Sequence, residues 1–106
     1  MRKESDFSFN EDNRSYPTSY FSLKGRISVT EAAIMENKLE KVRSAGYTHI
    51  VINMGAVNFF SSAAIRVILA THKKLRAAGG KLQITAPSEC VRNVIGMTGL
   101  DEFMAK

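Results

Sequence analysis

Cysteine is almost absent. Cys90 is the only one in 106 residues, which excludes an internal disulfide framework and a Cys-rich zinc site. Histidine is nearly as scarce, and His49 and His72 fall in no HExxH or comparable ligand spacing. No stretch approaches the roughly 18 apolar residues needed to cross a bilayer. The opening MRKESDFSFNEDN has no apolar run resembling a signal segment, so a soluble, cytoplasmic protein without membrane insertion is expected. Neither GxGxxG nor GxxxxGKS/T occurs, and Gly79-Gly80 follows a helical pattern instead of opening one. Internal repeats and low-complexity linkers are also missing. What is present is 44% hydrophobic and 24% charged residues, enough to build a core and too apolar for disorder. Fifteen Lys and Arg against ten Asp and Glu leave a net charge of +5, basic but not extreme. One domain spanning 1–106 is expected.

Residues 1–15 are polar and mixed in charge. Phe7 and Phe9 alternate with polar neighbours, which permits a short edge strand or a frayed tail. Over Tyr20–Ser28, Phe21, Leu23 and Ile27 share one face, predicting a strand with a bend or bulge at Gly25. Thr30 is the expected N-cap, with Glu31 in the first turn, of a helix over 30–44. Its inward stripe is Ala32, Met35, Leu39 and Val42. Thr48–Met54 carries the run Ile50-Val51-Ile52, the pattern of a central strand covered on both faces. Gly55–Ser61 reads as a loop. A second helix over 62–78 directs Ile65, Ile68, Leu69 and Leu75 inward and stops at Gly79-Gly80. Lys81–Ala86 alternates as a strand with Leu82 and Ile84 in the core. Pro87-Ser88-Glu89 opens a third helix, 88–96, with Val91 inward. Leu100–Met104 reads as a last short strand or a turn. The order β, β, α, β, α, β, α predicts an α/β protein: a mixed four- or five-stranded sheet with three or more helices packed on it.

An enzyme needs a nucleophile beside a base, a carboxylate pair or a phosphate cradle. The carboxylates here are scattered, and no base stands in evident reach of a nucleophile, so neither catalysis nor a cofactor is expected. His49 reads as a satisfied histidine beside a buried strand, and His72 as a solvated mid-helix position. Cys90 reads as a small apolar residue covering the core. Lys73, Lys74 and Arg76 form a solvated helix end, placed favourably against the C-terminal dipole. No aromatics are interleaved with this cluster for base stacking, so no nucleic-acid partner is expected.

The informative segment is Val57–Leu69, VNFFSSAAIRVIL. Two aromatics end it on the loop side, two serines follow, and a helix begins. Ser61 or Ser62 is suited to the N-cap, its hydroxyl accepting a backbone N–H. The same helix start stabilises an anion, so a serine there can carry a phosphoryl group, with Arg66 on the same helical face.

At this segment the chain resembles the STAS domain, in particular the stand-alone bacterial anti-sigma factor antagonist. The resemblance runs from about Phe21 to Leu100, through FSLKGRIS, HIVINM, VNFFSSAAIRVILATHKKLRAAGGKLQI and PSECVRNVIGMTGL. Family members typically carry an aspartate, two serines and a glycine at the loop–helix junction, and a partner kinase phosphorylates the first serine. In register, Ser61 stands at the aspartate, Ser62 at the phosphorylated serine, Ala63 at the second serine and Ala64 at the glycine. Ser28 stands where the first strand's turn usually ends in aspartate. The resemblance implies a partner-binding set of Ser28, Asn58, Ser61, Ser62, Ala63 and Arg66. Ser62 is the expected phosphoacceptor and Ser61 its rival. It further implies an anti-sigma factor that is also a serine kinase, and a serine phosphatase that resets the switch. Two other readings stand beside it: an unswitched scaffold or transport-complex subunit, and a nucleotide- or anion-binding domain.

Overall fold

Strands and helices alternate through residues 7–98, which the computed structural model describes. The elements are β1 (Ser8–Ser15), β2 (Thr18–Ile27), α1 (Val29–Ser44), β3 (His49–Phe60), α2 (Ser62–Ala77), β4 (Lys81–Thr85) and α3 (Glu89–Thr98). They form one four-stranded sheet in the order β1-β2-β3-β4. β1 runs antiparallel to β2, while β2–β3 and β3–β4 are parallel. The mixed sheet and its three helices are those expected. Leu100–Met104, read as a strand or a turn, lies outside the described residues.

The N-terminal alternative resolves as a strand. Phe9 is buried and stacks on Phe21 with ring centroids 4.5 Å apart, a contact worth about 1 kcal/mol beyond its area. Lys38 Nζ of α1 donates to the Phe9 carbonyl at 3.0 Å, holding the edge strand from above.

α1 and α2 pack against each other and against a single face of the sheet. That face carries Phe21, Leu23, Ile27, Ile50, Ile52, Met54, Leu82 and Ile84, all buried. Met35, Leu39 and Val42 of α1, Ile68 and Leu75 of α2, and Val91 of α3 complete the expected core. Ile65 and Leu69 do not belong to its centre; they are half-buried and lean on it from the side. The buried residues of α2 are instead Ala64, Val67, Ile68, Thr71, His72 and Leu75. His72 corrects a second expectation. It is buried, and its Nδ1 accepts the backbone N–H of Leu82 at 3.2 Å, tying α2 to β4. His49 is half-buried, with Nδ1 3.0 Å from Thr48 Oγ1.

Two further corrections concern the strands. Ile50 and Ile52 are buried but Val51 is only half-buried, because among the described residues no helix covers the second face. Gly55–Ser61 is not a loop, since β3 continues to Phe60. Past Asn53, where β4 ends its pairing, α3 takes the place of a neighbouring strand. Ser88 N–H donates to the Met54 carbonyl at 3.1 Å, and Val91 and Ile95 bury against the same core. On its other side β3 stays paired to β2 through two irregularities, one of them after Gly25, where a bend was expected.

Candidate functional site

The parallel strands β2 and β3 end side by side, so both following helices begin side by side. Ser61 N–H donates to the Ile27 carbonyl at 3.0 Å, which brings the α2 start against the α1 start. Ser28 caps α1, in place of the expected Thr30, which lies exposed in the first turn. The reason is the Glu31 side chain. It folds back to accept the Ser28 N–H at 3.2 Å and the Ser28 hydroxyl as well.

Those bonds hold the Glu31 carboxyl below its ordinary value of 4.5. The Ser28 hydroxyl is the chief cause, partial burial opposes it, and the Arg26 charge assists. A depressed carboxyl stabilises the fold above the ordinary value and loses that contribution as pH falls through the folded value. Glu31→Gln is therefore expected to flatten the fall in melting temperature below about pH 4.5 while leaving the neutral-pH value within a few degrees. An unchanged acid limb in thermal melts from pH 3 to 7 would remove Glu31 from the cap.

At α2 the two serines divide the work. Ser61 is extended (φ −76°, ψ 166°) and its Oγ accepts the Ala64 N–H at 3.2 Å. Ser62 is the first helical residue and is exposed. Ser61→Ala should accordingly lower stability by about 1 kcal/mol, a melting shift of roughly 5 °C. Ser62→Ala should leave the melting temperature nearly unchanged, since it removes no cap. Equal shifts in the two variants would contradict this division.

Of the residues implied by the resemblance, Ser28 and Ser61 cap the adjoining helices, Ser62, Ala63 and Arg66 follow in the first turns of α2, and Asn58 precedes them near the end of β3. Asn58 is exposed and is the extra residue of β3 between the pairs Gly25–Val57 and Arg26–Phe59. Ala63 and Arg66 line a groove of about 320 Å³ between α1 and α2, with Val29, Ala33, Glu36 and Ala70. Sequence reasoning missed Val29, exposed at the mouth of this groove. It also missed Arg26, whose guanidinium carbon lies 4.2 Å from the centre of the Phe59 ring. No periodicity carries that pairing, because an irregularity in the β2–β3 register creates it. One turn beyond the groove's lining residues, Lys74 Nζ of α2 reaches Glu40 of α1 at 3.4 Å, and Arg43 pairs with the same carboxylate. Lys73 and Arg76 are exposed beside it.

Chemically the arrangement offers an exposed hydroxyl at a helix N-terminus, unused first-turn N–H groups and a cation one turn on. Among the described residues no cluster of three or more His, Cys, Asp or Glu groups is placed to hold a metal ion. Also among them, no helix is long and apolar enough to cross a membrane.

Residues 11–106 match the STAS domain family. The anti-sigma-F factor antagonist RsfB of Mycobacterium tuberculosis is 30% identical over 81 residues, 76% of this chain and 66% of RsfB. BtrV of Bordetella bronchiseptica is 30% identical over 77 residues, 73% of this chain. The chain thus spans 66% of the length of either relative. The fold is similar to that of the anti-sigma factor antagonist SpoIIAA in its unphosphorylated form. That likeness has a TM-score of 0.85 at 23% identity, over 92% of this chain and 86% of SpoIIAA.

Proposed function

The chain belongs to the STAS domain family as an anti-sigma factor antagonist-like member, and on that premise we propose that it is a cytoplasmic partner-switching regulator controlled at Ser62. Unphosphorylated, it binds an anti-sigma factor that is also a serine kinase, through Ser28, Asn58, Ser61, Ser62, Ala63 and Arg66, and so frees the sigma factor. Phosphorylation of Ser62 puts about two negative charges into that interface and releases the partner. A serine phosphatase returns the domain to its binding state. The chain itself binds and performs no chemistry.

One observation carries the proposal: Ser61 holds the cap while Ser62 stands exposed beside it. A kinase can therefore modify Ser62 without unpicking the helix start. The added phosphate meets the positive end of the helix, and Arg66 lies on the same face.

The test is mass spectrometry of the protein purified from its own cells, together with kinase incubation of the Ser62→Ala and Ser61→Ala variants. Phosphate on Ser62, lost only in Ser62→Ala, is expected. Phosphate on Ser61 alone would move the switch by one residue. Its absence from both, with partner binding intact, would favour an unswitched scaffold.

A further inference from the structure

We propose that the open face of the sheet binds a short single strand of nucleic acid, an activity separate from the Ser62 switch. Among the described residues the helices cover one face only. The β register sets the other face out in rows: Tyr20–Val51–Gln83, then Ser22–Asn53–Thr85, then Lys24–Ala56, then Arg26–Phe59. Tyr20 is 44% and Phe59 37% exposed, so part of each aromatic side chain is open to solvent on this face. From Tyr20 to Arg26 the strip is about 20 Å long.

Its chemistry is sorted along that length. Aromatic rings lie at both ends: Tyr20 offers a ring to a base, and at the far end the Arg26 guanidinium lies over the Phe59 ring, so a base there meets the Arg26–Phe59 pair. Small hydrogen-bonding side chains fill the middle, where base edges can be met. Lys24 and Arg26 are exposed on β2 and Lys81 on β4, where phosphates can be neutralised. The opposing charges are few. Asp12, across from Tyr20, is paired with Arg14, whose hydrogen bonds hold its carboxyl at about 2. Glu31 lies close enough to Arg26 for their charges to interact.

The aromatics missing around Lys73, Lys74 and Arg76 in the sequence are present instead on this face, brought beside Lys24 and Arg26 by strands that meet only in the fold. A duplex keeps its bases stacked and offers nothing to Tyr20 or Phe59. An acidic peptide would gain little, because peptides add as strands at sheet edges, where unpaired backbone is available, and not on faces.

Fluorescence anisotropy of the whole chain with labelled oligo(U) and oligo(dT) of about eight nucleotides at low salt tests this. Both should bind, with affinity falling steeply as salt is added. Tyr20→Ala should weaken binding about tenfold, and Lys24→Glu should reduce the salt slope by about one. Reversing Lys73 and Lys74 together should change affinity less than about twofold, since they lie on the opposite side. In the unmodified protein, amide resonances of Ser22, Asn53 and Phe59 should shift on titration, which keeps the test independent of variant folding. The proposal is overturned if neither oligonucleotide binds, or if shifts and losses follow Lys73 and Lys74. Equal binding of a poly-glutamate peptide would also overturn it, as charge attraction alone.

Discussion

Ser62→Asp is expected to weaken binding to the anti-sigma factor kinase by roughly a hundredfold or more, with no loss of thermal stability. Ser62 is exposed in the free chain, so a carboxylate there costs nothing until a partner covers it. At the first helical position it even favours the helix, through the dipole and the first-turn N–H groups. In a closed interface the same charge is desolvated and unpaired, a penalty of about 3–5 kcal/mol, which exceeds two decades of affinity. Ser61→Asp should be tolerated or improve phosphorylation, because aspartate caps a helix as well as serine does. Calorimetric titration beside thermal melts separates the two effects. Undiminished binding by Ser62→Asp, with the kinase competent, would leave the unswitched scaffold as the better account.

The largest structural effect is expected at Gly80. A β-carbon there would lie 1.7 Å from the Thr48 carbonyl oxygen and 2.6 Å from its carbon. Both are main-chain atoms and cannot swing aside as a side-chain tip would. The contact is close because Gly80 N–H donates to Leu75 at 2.8 Å while Lys81 N–H donates to Thr48 at 3.1 Å. Those two bonds turn the end of α2 directly into β4. Gly80→Ala must therefore push β4 away from β3, at a cost of about 3 kcal/mol or more, a melting drop of roughly 15 °C. Gly79 next to it is the contrast. Its φ is +86°, but a methyl group there would meet nothing within 4 Å beyond its chain neighbours. Gly79→Ala should therefore cost only about 1 kcal/mol. If Gly80→Ala melted within a few degrees of the parent, this account of the α2–β4 corner would be wrong.

The two glycines show where local information ends. As a pair they read correctly as a helix stop, because terminating a helix is a local matter of backbone freedom. That Gly80 is the costlier one depends on Thr48, far away in the chain and brought near by the β3–β4 pairing.

The same division runs through the molecule. The order of elements, the inward stripe of α1 and the serines at the start of α2 were legible in the sequence. Each follows from periodicity or from side-chain hydrogen bonds within a few residues. The residues that carry the STAS resemblance were legible for the same reason, lying in continuous segments.

The continuation of β3 to Phe60 was not legible. On the side where β4 has ended, its second half has α3 for a neighbour while β2 still pairs with the other side, and nothing in Gly55–Phe60 reports what will lie beside it. His72 looked solvated among lysines, yet its ring is recruited by a backbone N–H from β4. Arg26 and Phe59 meet across a strand pair whose register is shifted. Local patterns determine which residues turn inward and where helices begin. Only tertiary structure decides which distant group each then faces, because hydrogen bonds, ring contacts and steric clashes act over a few ångströms whatever the separation along the chain.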